Sequence, residues 1–391
     1  MSTNLRLCTF NVENLFQRFD FSAFTNTRSR NYLPPAVNFL ADFRDGDLTK
    51  FNEFKQLMET VSVAQLDDHR QHTALALTAA DAHIYCLQEI DSLDAMTRFW
   101  QNYVSKIGKL RGFDHAVLQE GNDLRGIDVA AIARDITPIY ARSHASLTRG
   151  DLTSSDSRYP SAARLLDLFP LAKEKSESLS GRIFRRDALE LEIEKAGWDD
   201  RITVFNCHFK SMGGRSPNKI GMRQLEAIAV RAILERKFAD PAAALWVICG
   251  DLNSYRGAVR YATDGTETVD FDAADGDGDG TKDVNGKGHS GLDPLLADGF
   301  GIDLLADMDP SARWTHYFSG KRHKTQLDHI IASPAMARRK FAPAQVVRAG
   351  MPFRVPKTED IARYPRIGWD RPKASDHCPV VVEFVARDPG V

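Results

Sequence analysis

The chain has 391 residues, of which 51 are Lys or Arg and 53 are Asp or Glu, so its formal net charge at pH 7 is −2. A composition that is 43% hydrophobic and 27% charged is typical of a globular protein with a full-sized core. The balanced charge excludes a global positive field. Any contact with nucleic acid or an anionic membrane must therefore depend on a local patch.

The 5 cysteines form no closely spaced pairs; they are Cys8, Cys86, Cys207, Cys249 and Cys378. An odd number without such pairs argues against disulfides and zinc ligation, and it fits a reducing compartment. The N-terminal residues lack the long apolar stretch of a signal peptide, and no apolar run approaches a membrane span. We therefore expect a cytoplasmic protein.

Two strand-like runs in the first part of the chain end in polar residues. Residues 5–12 predict a strand with Asn11 near its end, and residues 82–90 predict a buried strand ending in Gln88 and Glu89. A carboxylate there is costly to bury unless it binds a metal or a cation; a Glu that emerges into solvent is the alternative. Helical periods cover residues 50–80 and 93–109, and residues 19–47 are interpreted as an insertion loop.

The middle of the chain predicts two hairpins. Residues 113–119 and 127–133 are joined by a polar turn that carries Arg125, either a bidentate phosphate ligand or an ordinary surface arginine. Residues 181–193 pair with 201–209, whose alternation places Asn206, His208 and Lys210 on one side. A lone His in a strand is usually a packed core residue, but the exposed strand end at Lys210 favours function. Residues 141–169 are interpreted as a loop region, and 222–238 predict an amphipathic helix.

Residues 245–255, LWVICGDLNSY, combine a buried strand with a polar turn. Gly250 allows the backbone to turn sharply, and Asp251 and Asn253 follow at the carboxyl end of the strand, where ligands bind in open α/β sheets. Gly, Asp and Asn are also ordinary turn residues, so this segment alone does not decide between the two readings.

An acidic segment within residues 256–299 resembles a calcium-binding loop. Its carboxylates occupy the first, third, fifth and ninth positions of that pattern and its sixth position is Gly280; they are Asp275, Asp277, Asp279 and Asp283. The twelfth position is Gly286 rather than the bidentate Glu. The sequence therefore leaves a structural Ca²⁺ site and a flexible acidic loop as alternatives.

The last part of the chain contains an aromatic and basic segment followed by two strands. Residues 313–324, RWTHYFSGKRHK, include Trp314 and Lys321 and could stack bases and hold phosphates, or form a hairpin with a solvated tip. Residues 325–332 predict a strand with Asp328 in its middle. Residues 374–384 place Asp376 and His377 just before a buried strand.

Six predicted strand ends thus carry polar side chains, namely Asn11, Glu89, His208, Asp251 with Asn253, Asp328, and Asp376 with His377. Clustered acids repel one another unless a cation neutralises them, and ligation by oxygen suits Mg²⁺ or Mn²⁺ better than zinc. Histidines and amides suit an anionic substrate whose charge grows in the transition state. The set predicts metal-dependent phosphoryl chemistry.

Seven motifs follow one another between residues 5 and 385, namely FNVENL, LQEID, RGIDVA, NCHFKS, GDLNSY, QLDHI and SDHCPV. In this order the chain resembles the endonuclease/exonuclease/phosphatase (DNase I-like) superfamily, and most closely its bacterial nuclease-type branch. The resemblance implies one α/β domain over residues 1–391: a four-layer sandwich of two packed, mostly antiparallel β-sheets flanked by helices. Insertions are expected near 17–75, 140–180, 256–300 and 335–370.

The resemblance also implies roles for single residues. Glu89 is the principal metal ligand, and Asn11 and Asp376 complete the site. His377, oriented by Asp328, and Asp251 share the activation of water, with the base left open between them. His208 and Asn253 hold the phosphoryl oxygens, and substrate contacts are expected from Arg125, Lys210, Trp314 and Lys321.

We therefore expect a Mg²⁺-dependent (or Mn²⁺-dependent) phosphodiesterase that acts on nucleic acid, an endonuclease or deoxyribonuclease acting on DNA. A phosphoesterase for a phospholipid head group or a small phosphate ester is the first alternative. An inactive binding module on the same fold is the second, but none of Glu89, Asp251 and His377 is lost. The choice between endo and exo action and the oligomeric state are left open.

Overall fold

In the computed structural model, the described residues are 3–15, 67–108, 110, 112–123, 126–154, 158–178, 180–212, 219–255, 258–261, 267–270, 289–318, 323–356 and 360–388. Within 258–261 and 267–270 only the backbone is described. The remaining residues, including 16–66 and 271–288, lie outside this description.

The strands are, in chain order, β1 Leu5–Leu15, β2 Ile84–Ile90, β3 His115–Gln119, β4 Asp128–Ala133, β5 Thr137–Ser143, β6 Ala188–Glu194, β7 Ile202–His208, β8 Trp246–Asp251, β9 Ala258–Tyr261, β10 Glu267–Asp270, β11 Ile302–Asp303, β12 His316–Phe318, β13 His323–Thr325, β14 Asp328–Ala332, β15 Gln345–Val346 and β16 Val380–Phe384. The α-helices are α1 Asp67–Ala80, α2 Leu93–Phe99, α3 Ser105–Ile107, α4 Arg149–Thr153, α5 Ser161–Leu168, α6 Pro170–Ser178, α7 Lys219–Lys237, α8 Asp293–Leu296 and α9 Pro334–Arg338. A π-helical turn, Trp100–Val104, joins α2 to α3, and 3₁₀ turns occur at Ala297–Gly299 and Pro310–Ala312.

Two six-stranded sheets form the centre of the fold. Sheet I has the order β15-β16-β1-β2-β4-β3 and sheet II the order β11-β14-β8-β7-β6-β5. Each contains one parallel pair, β1 with β2 in sheet I and β7 with β8 in sheet II, and every other pairing in these two sheets is antiparallel. The expected pair of mostly antiparallel sheets is confirmed.

Three apolar clusters hold these layers together. The cluster between the sheets includes Leu7 and Cys86 from sheet I with Val247 and Ile330 from sheet II. A second cluster packs α5 and α7 on the outer face of sheet II, and a third packs α1 and α2 on the outer face of sheet I. Each fully buried aliphatic side chain contributes ~1.5–3 kcal/mol relative to an exposed one. The structure is therefore the helix–sheet–sheet–helix sandwich expected from the resemblance.

The prediction of a loop region over 141–169 was wrong, because this segment contains the end of β5 together with α4 and α5. Thr148 caps α4 and forms a capping box with Asp151, which satisfies the first backbone N–H groups. In α5 the apolar stripe Ala162, Leu165 and Leu166 faces the core. Both helices are too short for helical periodicity to stand out among so many Ser, Arg and Asp residues.

Other predicted elements are shifted at their ends. Asp328 begins β14 instead of lying in its middle, and the strand predicted from 181 begins only at Ala188. β12 and β13 pair antiparallel, as the hairpin alternative predicts, and β9 and β10 extend this pair into a small sheet with the order β10-β9-β13-β12. Among the described helices, none combines the length and the hydrophobicity needed to cross a membrane.

Candidate active site

Three adjacent strands of sheet II bring three polar residues to one level. His208 at the end of β7 pairs with Asp251 at the end of β8, and Asp251 pairs with Asp328 at the start of β14. The pairing registers of the sheet, rather than long loops, therefore set the spacing of these side chains. All three are buried.

Gly250 is required just before Asp251. Its φ is +136°, and a Cβ atom at this position would lie 1.8 Å from the carbonyl oxygen of Cys207. Positive φ costs glycine little, and only glycine leaves room for the close approach of β7. The sharp turn predicted at Gly250 is not found, because β8 continues through Gly250 to Asp251 and pairs with both neighbouring strands there.

The Asp251 carboxylate lies at the centre of the site. Its Oδ2 accepts a 3.0 Å hydrogen bond from Nδ2 of Asn11 and lies 3.5 Å from Nε2 of His208 and 3.8 Å from Nε2 of His377. Its Oδ1 accepts a 3.0 Å bond from the backbone N–H of Asn253. Burial raises the pKa of Asp251, against the opposing influence of His377 and Asn11.

His377 lies between two carboxylates. Its Nδ1 is 2.8 Å from Oδ2 of Asp328, and the Thr315 hydroxyl donates a 2.7 Å bond to the same oxygen. Burial alone would lower the pKa of His377, but Asp328 and Asp251 outweigh it and raise the pKa well above its usual value. This arrangement fixes the orientation of the ring and favours the imidazolium form.

Most of the predicted residues line one cavity of about 810 Å³, hereafter the catalytic pocket. Those lining it are Asn11, Glu89, His208, Lys210, Asp251, Asn253, Asp376 and His377, while Asp328 lies behind His377. Four of its lining residues have positive φ, namely Glu13, Asn14, Glu89 and Asn253. Such backbone strain at residues other than glycine tends to cluster at functional sites.

The donor atoms of the pocket suit a hard divalent cation. Glu89 and Asp376 offer carboxylate oxygens and Asn11 an amide oxygen, the ligand types that Mg²⁺ prefers. Oε2 of Glu89 is fixed by a 3.1 Å hydrogen bond from the backbone N–H of Asn14. Asp251, Asp328 and His377 also have ligand atoms within 4.8 Å of one another and could hold a metal ion. The 2.8 Å hydrogen bond between His377 and Asp328, with Asp251 3.8 Å from the other ring nitrogen, also fits a proton-transfer group.

Basic residues on the flank of the pocket offset part of its negative charge. Lys373, His377 and His316 hold the pKa of Asp376 well below its usual range, although burial opposes them. Glu13 pairs with Lys373 at 2.9 Å and with Arg371 at 2.7 Å. Sequence reasoning missed Glu13, although it lies inside the FNVENL motif.

The small sheet contributes one wall of the pocket, which the sequence did not predict. His316 forms a β-bridge with His377, and their ring centroids are 4.7 Å apart. Phe318, two residues further along β12 and so on the same face, also lines the pocket and is 49% exposed. Tyr317 between them points into a buried cluster. The aromatic and basic composition of 313–324 was the available signal.

Some predicted residues are not brought to the pocket. Trp314 is buried under the small sheet, with the Arg348 guanidinium 4.5 Å and the Lys324 ammonium 5.6 Å from its ring. It supports the hairpin and is absent from the residues that line the pocket. The others lie outside the described residues: Arg125, Lys321, Asp275, Asp277, Asp279 and Asp283.

Comparison with known proteins gives similar folds but no sequence relative. No protein-family model matches the chain. No curated protein matches it either. Three of the similar solved structures are a truncated Caenorhabditis elegans TDP2, the human Nocturnin catalytic domain with bound sulfate, and an endonuclease/exonuclease/phosphatase family protein from Bacteroides thetaiotaomicron.

Each of the three is 12% identical to this chain and covers 98% of it. The matches cover 97%, 95% and 98% of those chains, with TM-scores of 0.46, 0.47 and 0.43 respectively. At these identities and TM-scores the likeness assigns no activity to this chain, whose chemistry depends on the side chains of its own site.

Proposed function

We propose that the protein is a Mg²⁺-dependent phosphodiester hydrolase that acts on nucleic acid, as an endonuclease cleaving DNA. The observation that carries the proposal is the contact of one buried carboxylate, Asp251, with His208, His377 and Asn11 in a pocket that also holds Glu89 and Asp376. A carboxylate between two imidazoles can take a proton from water while the imidazoles stabilise a phosphoryl oxygen.

The side chains of the catalytic pocket have separate roles in this reaction. Asp328 and Thr315 hold the His377 ring, whose two nitrogens both face carboxylate oxygens, so His377 acts as a cation and proton donor. Asp251 is the remaining group placed to accept the proton of the attacking water. His208 and Asn253 bind the phosphoryl oxygens from the sheet II side.

A bound Mg²⁺ would be held by Glu89, Asn11 and Asp376, and it would neutralise charge on the phosphate. The protein side chains orient the phosphodiester for in-line attack, because the acceptor Asp251 and the cationic His377 approach the pocket from different sheets. The sandwich therefore has to be intact for the two groups to meet.

A nucleic-acid substrate is favoured by the walls of the same pocket. Phe318 offers an exposed ring on one wall. Lys210 supplies positive charge on another, where the Arg186 guanidinium is paired with Asp123 at 2.9 Å. Stacking on an aromatic ring contributes ~1–3 kcal/mol per base. A small phosphate ester would make no use of this exposed ring.

The test is hydrolysis of bis-p-nitrophenyl phosphate and p-nitrophenyl phosphate with and without Mg²⁺, followed by plasmid DNA, RNA and phospholipid. We expect Mg²⁺-dependent turnover of the diester in preference to the monoester, and nicking of plasmid DNA. Preference for the monoester or for phospholipid would contradict the nuclease assignment. No turnover with any divalent ion would contradict hydrolysis altogether and indicate a binding module.

A further inference from the structure

A second cavity lies on the outer face of sheet II, and its lining shares no residue with that of the catalytic pocket. It has a volume of about 590 Å³ and lies between β5, β6 and the C-terminal end of α7. We call it the arginine pocket after three of its lining residues, Arg142, Arg158 and Arg236.

The acids of the arginine pocket are already neutralised. Glu190 at its floor lies 2.7 Å from Nζ of Lys237 and 2.9 Å from Nε2 of His144. Asp151 lies 3.5 Å from the Arg158 guanidinium and accepts hydrogen bonds from the backbone N–H and the hydroxyl of Thr148 at the start of α4. Neither carboxylate therefore leaves a negative charge without a partner in the pocket.

The arginines, in contrast, retain binding capacity. The Arg142 guanidinium lies 5.5 Å from the Tyr140 ring centroid, and Arg236 lies 5.4 Å from that of Tyr159. Within the described part of the chain no carboxylate pairs with either arginine. Arg158 reaches Asp151 only at 3.5 Å. Two planar forks, held over aromatic rings and facing one cavity, match a phosphate group that can accept bidentate hydrogen bonds.

The other residues that line the arginine pocket suit a ligand larger than a phosphate group. Tyr140 and Tyr159 offer aromatic surface, Leu147 and Ile233 offer apolar surface, and the volume lies in the ~300–1,000 Å³ range of small-molecule sites. We propose that the arginine pocket binds a phosphate monoester of nucleotide size, at a site separate from catalysis. This inference does not depend on the proposed function.

The experiment is calorimetric titration of the full chain with thymidine 5′-monophosphate, inorganic phosphate and thymidine at low salt with EDTA. We expect the nucleotide to bind and inorganic phosphate to compete with it, because the dianion is the shared feature. Arg142→Ala/Arg236→Ala should weaken binding at least about tenfold, since it removes two donors of charge-assisted hydrogen bonds. The affinity of Arg142→Lys/Arg236→Lys for the nucleotide should lie between those of the wild type and the double alanine variant.

Two controls separate this site from catalysis and from general charge. His208→Ala should bind the nucleotide as the wild type does, and so should Arg338→Ala/Arg354→Ala, which removes the same charge elsewhere on the surface. The thermal midpoint of each variant checks its folding. The proposal is overturned if the wild type does not bind, if thymidine binds equally well, if phosphate fails to compete, or if binding is lost in His208→Ala but kept in the double alanine variant.

Discussion

Several side chains of the catalytic pocket are stable only because of their neighbours. Asp328 is fully buried, and its Oδ2 is hydrogen-bonded to the imidazole of His377 and the hydroxyl of Thr315. Removing one member of such a group leaves the others buried without a partner, which costs more than the lost bond alone. Function and local stability are therefore linked at this site.

His208→Ala and His377→Ala should each lower kcat on bis-p-nitrophenyl phosphate by ~10²–10⁴-fold, the usual range for loss of general acid–base catalysis. Both rings contact Asp251 at the end of the sandwich, so the variants should still fold, as circular dichroism would show. His377→Ala should also lower the thermal midpoint, because the buried Asp328 loses its partner. The matched control is His115→Ala at the exposed start of β3. Retained activity in either site variant would remove that histidine from the mechanism.

Glu89→Ala should raise the Mg²⁺ concentration needed for half-maximal activity, because the variant loses a carboxylate that points into the catalytic pocket. The measurement is a Mg²⁺ titration of diester hydrolysis. Glu174→Ala, an exposed Glu on α6, serves as the comparison. An unchanged titration in Glu89→Ala would show that Glu89 is not a ligand.

At the scale of elements, strands with continuous apolar runs were predictable and their partners were not. The run before Gly250 and the run that ends at Glu89 are buried strands, as their composition predicts. The pairing of β8 with both β7 and β14 depends on residues far apart in the chain. The clustering of His208, Asp251 and Asp328 was expected from the polar ends of their predicted strands, but the strand pairing that produces it was not predicted, and His316 escaped prediction altogether.

The β12–β13 hairpin offers a prediction about substrate class. Phe318→Ala should raise KM for a short DNA oligonucleotide several-fold to about a hundredfold, because one stacked base contributes ~1–3 kcal/mol. Turnover of bis-p-nitrophenyl phosphate should change little, since the ring lies on the wall of the pocket. Phe353→Ala is matched in exposure, at 49% for both residues, and lies outside the pocket lining. Equal effects of the two variants on DNA would contradict a stacking role.

At the scale of the whole molecule, the order of the helix and sheet layers was predictable, whereas the small sheet beside the catalytic pocket was not. Apolar strands and one long helix, α7, already require a sheet with helices packed on it. The small sheet depends on the segment that carries β9 and β10, where strand pairing rather than composition decides the structure. Short capped helices such as α4 were missed for a different reason, because they are too short for helical periodicity to stand out.

The packing of α7 against sheet II also predicts how stability depends on pH. His144, Lys237 and Tyr140 lower the pKa of Glu190 to about 2 despite the opposing influence of burial. A carboxylate whose pKa is lower in the folded state stabilises the fold at pH values above its unfolded-state pKa. This contribution is lost as the pH falls through ~4.5 towards 2. It amounts to about 3 kcal/mol at neutral pH.

Glu190→Gln should therefore lower the free energy of urea-induced unfolding at pH 7 and flatten its decline between about pH 5 and pH 2. Glu194→Gln, on the same strand but with an exposed side chain, should follow the wild type. If the free energy of unfolding of Glu190→Gln declined with falling pH as steeply as that of the wild type, this carboxylate would not control acid unfolding.

The level shared by His208, Asp251 and Asp328 has a consequence for how a site of this kind can change. Neighbouring strands lie about 5 Å apart, and this repeat is fixed by main-chain hydrogen bonds that no side-chain replacement alters. The spacing of the strands thus sets the distances between these three side chains. Surrounding segments can lengthen, shorten or be exchanged, and so admit new substrates, while the distances that the chemistry needs are inherited unchanged.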